Sequence, residues 1–153
     1  MEYNCELIDR KTYLTMAIRT HSSLVNLSWD LGRCFDEVKA FMKEYGIEPV
    51  GSPYAAYYCL DFDNLDVEIG YPVEKQIEGK GNVKPASIPG GKMATTIHVG
   101  SYSDMEPAYQ ALSDWMKQQN LETSGVSYEI YKSDHTQMPS HDLQTRILFP
   151  VKD

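Results

Sequence analysis

A duplicated α+β fold is predicted for this chain of 153 residues: two β-α-β-β units with an antiparallel sheet beneath two main helices. Three features carry that prediction. One seven-residue string recurs near the end of each half. In both halves a helical apolar stripe precedes two strand-like runs. The strands that close each half alternate apolar and polar residues, the period of a sheet with one covered face.

The elements follow in order. Residues 12–20 read as a strand. Leu27, Leu31, Cys34, Phe35, Val38, Phe41, Met42 and Tyr45 then keep the 3.6-residue helical period, and Gly46 suits the stop. Residues 55–60 and 65–73 read as strands joined by the turn-like Asp61-Phe62-Asp63-Asn64. In the second half residues 92–99 form a strand. Ser103-Asp104-Met105-Glu106 has capping-box spacing, and Tyr109, Leu112, Trp115, Met116 and Gln119 mark the second helix. Strands at 126–132 and 143–151 close that half.

The recurring string is Val67-Glu68-Ile69-Gly70-Tyr71-Pro72-Val73 against Thr145-Arg146-Ile147-Leu148-Phe149-Pro150-Val151. Ile, Pro and Val agree in register, and an aromatic residue precedes each proline. Met16-Ala17 and Met93-Ala94 recur upstream at nearly the same offset. Leu65, Val67, Ile69, Tyr71 and Val73 share one face, opposite Asp66 and a Glu68 read as solvent-facing. Leu143, Thr145, Ile147, Phe149 and Val151 likewise oppose Gln144 and Arg146. Pro72 and Pro150 end their strands, where a missing N–H costs little. Glu78-Gly79-Lys80-Gly81-Asn82 and Pro89-Gly90-Gly91 read as connections within one domain, because a unit of ~70 residues is marginal alone. The expected organisation is a single domain over 1–153, with repeat one at about 1–78 and repeat two at about 79–153.

Composition narrows the function. An apolar fraction of 42% with 11% aromatic residues argues against disorder. No apolar run approaches the ~20 residues of a membrane span, and the first residues do not form a secretory leader, so a cytoplasmic location away from membranes is expected. A net charge of −8 without a basic stripe argues against direct nucleic-acid binding and favours cationic partners. Cys5, Cys34 and Cys59 are odd in number and widely spaced, as small buried hydrophobes in a reducing compartment would be. His21, His98, His135 and His141 lack metal-ligand spacing, and Gly90-Gly91-Lys92 lacks the rest of a phosphate loop. Ser101 lies near His98 without a nucleophile-elbow turn. Neither a metal nor a cofactor is expected.

Two similar halves suggest an aromatic-lined cleft at their junction. The chain carries 11 Tyr, 4 Phe, 2 Trp and 7 Met, with Tyr54, Tyr57 and Tyr58 on one strand and Tyr128 and Tyr131 on its counterpart. Glu129 stands inside the otherwise apolar Val126-Ser127-Tyr128-Glu129-Ile130-Tyr131. If it faces the cleft it suits a lipophilic cation through charge and cation–π contact; if it faces solvent it is an ordinary strand residue. Alternation cannot choose, since tyrosines flank it on both sides. Trp115, Tyr57, Tyr71, Tyr109 and Phe149 are the candidate walls.

Residues 92–102 with His98-Val99-Gly100-Ser101-Tyr102, then Trp115, Tyr128-Glu129-Ile130-Tyr131 and the closing strand at 143–151, resemble the GyrI-like small-molecule-binding family. This is the effector-binding domain of AraC-type and MerR-type transcription activators. The resemblance implies a tandem β-α-β-β pair with a pocket between the repeats, where a glutamate at the position of Glu129 recognises bulky, cationic aromatic compounds. Activators fuse this domain to a DNA-binding module; with only four residues before Cys5, a stand-alone binding protein for multidrug sensing or sequestration is expected here. Relatives imply two alternatives: a hydrolase of cyclopropane-bearing genotoxins with Glu129 as its acid or base, or a protein-interaction role with DNA gyrase or a regulator as partner.

Overall fold

The computed structural model describes residues 3–59, 63–101, 105–132 and 143–152. In chain order its elements are β1 (Glu6–Arg10), β2 (Tyr13–Ser22), α1 (Leu27–Glu44), β3 (Tyr54–Cys59), β4 (Leu65–Pro72), β5 (Lys84–Ile88), β6 (Gly91–Val99), α2 (Glu106–Gln118), β7 (Ser127–Tyr131) and β8 (Gln144–Pro150). Contacts divide the chain into two units, Lys11–Gly90 and Met1–Arg10 with Gly91–Asp153. The first carries the antiparallel strand order β3-β4-β2-β5 with α1. The second carries β1-β6-β8-β7, also antiparallel, with α2. The fold is therefore α+β, as expected, with the strand–helix–strand–strand order present in each unit.

The pairing adds two edge strands that periodicity did not reveal. β5 bonds β2 and β1 bonds β6, although each precedes the other unit's first long strand in sequence. Their strings, Glu6-Leu7-Ile8-Asp9-Arg10 and Lys84-Pro85-Ala86-Ser87-Ile88, are short and mix polar with apolar residues without a clear alternation. Pro85 is tolerated because an edge strand has one side free of partners.

Both units use the same register. Pro72 lies opposite Thr15 and Ile69 opposite Ile18, while Pro150 lies opposite Met93 and Ile147 opposite Thr96, at one constant displacement along the chain. Just beyond the strands, the Val73 N–H donates to the Leu14 carbonyl and the Val151 N–H to the Lys92 carbonyl, each at 2.9 Å. Thr15, not Met16, is thus the ladder counterpart of Met93, so the Met-Ala pairs noted in the sequence are one residue out of step.

The helices stop alike. In α1 the Ile47 N–H donates to the Met42 carbonyl at 2.8 Å, around Gly46 at φ 68°. In α2 the Leu121 N–H donates to the Met116 carbonyl at 2.9 Å, around Asn120 at φ 58°. Both are Schellman closures, and glycine and asparagine are the residues that enter the left-handed region at least penalty. At its start α2 has Met105 in the capping position with no side-chain cap bond, and Pro107 in the first turn. Ser103 and Asp104 of the expected capping box, and Leu60, Asp61 and Phe62 before β4, lie outside the described residues.

Each helix covers one face of its strands. Cys34, Val38, Phe41 and Met42 are the buried stripe of α1, and Phe35 meets Tyr71 of β4 edge-on at 5.8 Å. Ala108, Leu112 and Met116 of α2 close over Ala94, Ile147 and Phe149. The opposite faces are not left to water, as simple alternation implied: Thr15, Tyr54, Ala56, Met93, Tyr128 and Leu148 are buried as well. Gly70, opposite both Ala17 and Tyr54, is part of that packing. A Cβ there would sit 2.3 Å from the Met16 carbonyl oxygen, a backbone atom that cannot turn aside. Gly70→Ala is expected to lower stability by about 1–3 kcal/mol or more, the scale of overpacking; a urea-unfolding midpoint equal to that of the unaltered protein would contradict this packing.

Candidate functional site

Strand β7 is buried along its length. Glu129 lies opposite Ile147, and Tyr131 opposite Thr145. Because Ile147 belongs to the cluster beneath α2, the two-residue alternation puts Glu129 and Tyr131 on the helix-covered face. Tyr109, in the first turns of α2, reaches down and donates its hydroxyl to Glu129 Oε2. Tyr131 donates to Oε1 at 2.7 Å. Glu129 is only 8% exposed, and burial pushes its pKa upward; the two phenol hydrogen bonds and the nearby His98 pull the other way.

His98 on β6 is held from both sides. Its Nε2–H donates to the Ser101 carbonyl at 2.9 Å, and Nδ1 lies 3.4 Å from the Tyr3 hydroxyl, with the two rings stacked 6.3 Å apart. Among the described residues no lysine or arginine forms an ion pair with Glu129. The result is a carboxylate under a helix, satisfied by two phenols and, among the described residues, without a lysine or arginine countercharge.

Four of the six expected site residues come together here. Tyr109 bonds the carboxylate and lies 5.6 Å from the Phe149 ring, centre to centre. Phe149 is in the cluster under α2, and Trp115 packs half-buried against that cluster. Tyr57 and Tyr71 belong to the other unit; Tyr57 is buried on β3, and Tyr71 contacts Phe35 of α1. A hollow of about 500 Å³ in the Glu129 unit runs along Tyr3–Glu6, Thr96, Ile97, Val99 and Arg146, and none of the six lines it. Among the described residues no three His, Cys, Asp or Glu side chains gather as a metal site would require. His135 and His141 lie outside the described residues.

Glu68 requires a correction. It is not solvent-facing but 6% exposed, on the helix-free face of β4. Tyr54 donates to its Oε1 at 3.3 Å and Tyr58 to its Oε2 at 2.8 Å. Tyr54 also shares a 2.9 Å hydrogen bond with Thr15. Arg19 lies 3.8 Å above the Tyr58 ring and grips Asp66 through two 2.8 Å bonds, which hold the Asp66 carboxyl below its usual range. The legible signal was Tyr54 and Tyr58, four apart on one strand, with a glutamate on the neighbouring strand. Alternation assigned Glu68 the correct face and the wrong environment.

A compact α+β unit with a buried carboxylate among aromatic rings has the make-up of a small-molecule-binding module. The sequence agrees: the chain matches the GyrI-like small molecule binding domain over residues 6–152 and belongs to that family. No protein with a curated description matches it in sequence. Among solved structures it is similar to the EcmrR C-terminal domain, with a TM-score of 0.85 at 22% identity, covering 100% of this chain and 99% of that one. Against EcmrR in its DNA complex the TM-score is 0.89 at 22% identity, and the match spans 99% of this chain but 58% of that one. SAV2435 bound to tetraphenylphosphonium matches with a TM-score of 0.69 at 16% identity, over 99% of this chain and 94% of that one. A hydrolase from Listeria innocua matches with a TM-score of 0.70 at 15% identity, over 97% and 91%.

The raised pKa of Glu129 has a consequence for stability. Its folded-state value lies above the ordinary 4.5, so in the window just above 4.5 the folded chain holds more protons than the unfolded one. This group's contribution is most favourable below that window and declines as pH rises through the folded pKa. Glu129→Gln removes the titration, so its stability relative to the unaltered protein is expected to improve from pH 4.5 to pH 8. A difference in urea midpoint that stays constant with pH would show that burial does not perturb this carboxyl.

Proposed function

We propose that this domain binds bulky lipophilic cations, with Glu129 as the countercharge and Tyr109, Trp115 and Phe149 as aromatic surface. The carrying observation is the burial of Glu129 without a lysine or arginine ion-pair partner among the described residues. Holding an ionised carboxylate in a low-dielectric setting costs several kcal/mol, and an arriving cation offsets that penalty. Aromatic faces add about 0.5–2 kcal/mol each where they meet the charge. The tetraphenylphosphonium carried by SAV2435 belongs to this ligand class, and the net charge of −8 attracts it.

A second reading has its own support. A buried glutamate with a raised pKa between two phenol donors is also suited to general acid–base work, and one relative of this fold is a hydrolase. Product formation from a reactive cyclopropane substrate would favour it over binding alone.

The binding reading is tested with tetraphenylphosphonium and neutral triphenylphosphine oxide. Glu129→Gln should keep the fold, because the amide can still bond both phenols, and should weaken the cation by about 1–3 kcal/mol, the scale of losing a charge-assisted contact. The neutral compound should change much less. Equal losses for both compounds in a calorimetric titration would rule out Glu129 as the charge reader.

A further inference from the structure

Two buried side-chain polar atoms among the described residues have no hydrogen-bond partner, Ser127 Oγ and Thr145 Oγ1. Both belong to the surroundings of Glu129. Ser127 is two residues before it on β7 and shares its face by alternation. Thr145 lies opposite Tyr131, so it is the diagonal cross-strand neighbour of Glu129. Thr145 is fully buried and Ser127 is 4% exposed, so neither hydroxyl has ready access to bulk water.

The neighbours of Thr145 among the described residues do not satisfy it. It stands between His98 on β6 and Tyr131 on β7. The Tyr131 hydroxyl is directed to Glu129 Oε1, and both His98 nitrogens are engaged with Ser101 and Tyr3. Valine would fill the same space on a β-strand without a hydroxyl to desolvate, and alanine would serve at Ser127. Two such groups flanking one buried carboxylate therefore point to a ligand that completes them.

We infer that this site prefers protonated amines to fully substituted onium ions, and that Thr145 and Ser127 read the N–H groups beside the charge. The inference rests on the reading of Glu129 as countercharge and narrows its ligand class. An ammonium group has N–H donors for hydroxyl oxygens as well as positive charge for the carboxylate. A quaternary ammonium or a phosphonium has charge alone, and leaves both hydroxyls as they are.

The test uses two probes of equal charge and similar bulk, 3,3-diphenylpropylammonium and its N,N,N-trimethyl counterpart, titrated at one pH. The unaltered protein should prefer the primary ammonium. Thr145→Val and Ser127→Ala should each lower its affinity several-fold to about tenfold, the range of one lost hydrogen bond, while the trimethyl probe stays within about twofold. Thr145→Ser, which keeps the hydroxyl, should restore the preference. Both substitutions delete unpartnered groups, so thermal unfolding at or above the original midpoint confirms an intact fold. A ratio between the probes that neither variant changes overturns the inference. If Glu129→Gln weakens both probes in that case, the cation reading survives. If Glu129→Gln affects neither probe, both readings fall together.

Discussion

The constraint on which the second unit depends is a carboxylate buried beneath a helix. Glu129 gives up hydration on β7, and the penalty would be several kcal/mol if its oxygens were left bare. Tyr109 from α2 and Tyr131 from β7 supply the missing donors. Because one donor belongs to the helix and the other to the sheet, the carboxylate joins the two layers. The apolar contacts of Leu112, Met116, Ile147 and Phe149 give that layer pair most of its burial, while Glu129 introduces a polar point at which the pair is sensitive to charge.

The two units share ladder register and helix closures, yet they place their buried carboxylates differently. On β4, Glu68 lies opposite Ala56, and Gly70 opposite Tyr54. On β8, Arg146 lies opposite Ile130, and Leu148 opposite Tyr128. Glu68 and Arg146 hold matching ladder positions but carry opposite charge. Glu129 matches Ala55, a small apolar residue with nothing to titrate. Of the two carboxylates, Glu129 alone is on the face that its own helix covers, so a change of charge at Glu129 is tied to α2 in a way that a change at Glu68 is not tied to α1. Equivalent backbones have thus been given different chemistry by a few side chains.

Much of the framework was legible in the residues. The stripe from Leu27 to Tyr45 and the alternation of Leu65–Pro72 and Gln144–Pro150 are long enough for period to exceed noise, and the structure places elements there. β1 and β5 were not legible, because five-residue edge strands with two or three apolar side chains have no readable period; their pairing comes from backbone hydrogen bonds offered by β6 and β2. Glu68 was placed on the correct face and wrongly given to solvent, since alternation sorts residues between faces and is silent on what lies over each face.

Sequence alone determined the strand and helix periods, the proline-ended ladders, the negative charge and the singling out of Glu129 among tyrosines. Those properties follow from local spacing and composition, which need no knowledge of distant contacts. Tertiary structure decided the face of Glu129, because the register with Ile147 and Thr145 breaks a tie that the flanking Tyr128 and Tyr131 left open. It also decided that Tyr109, twenty residues away, completes the carboxylate, and that Ser127 and Thr145 are buried with no hydrogen-bond partner among the described residues. Hydrogen bonding within about 3 Å and the loss of hydration depend on which strands lie side by side, and only the folded chain sets that neighbourhood.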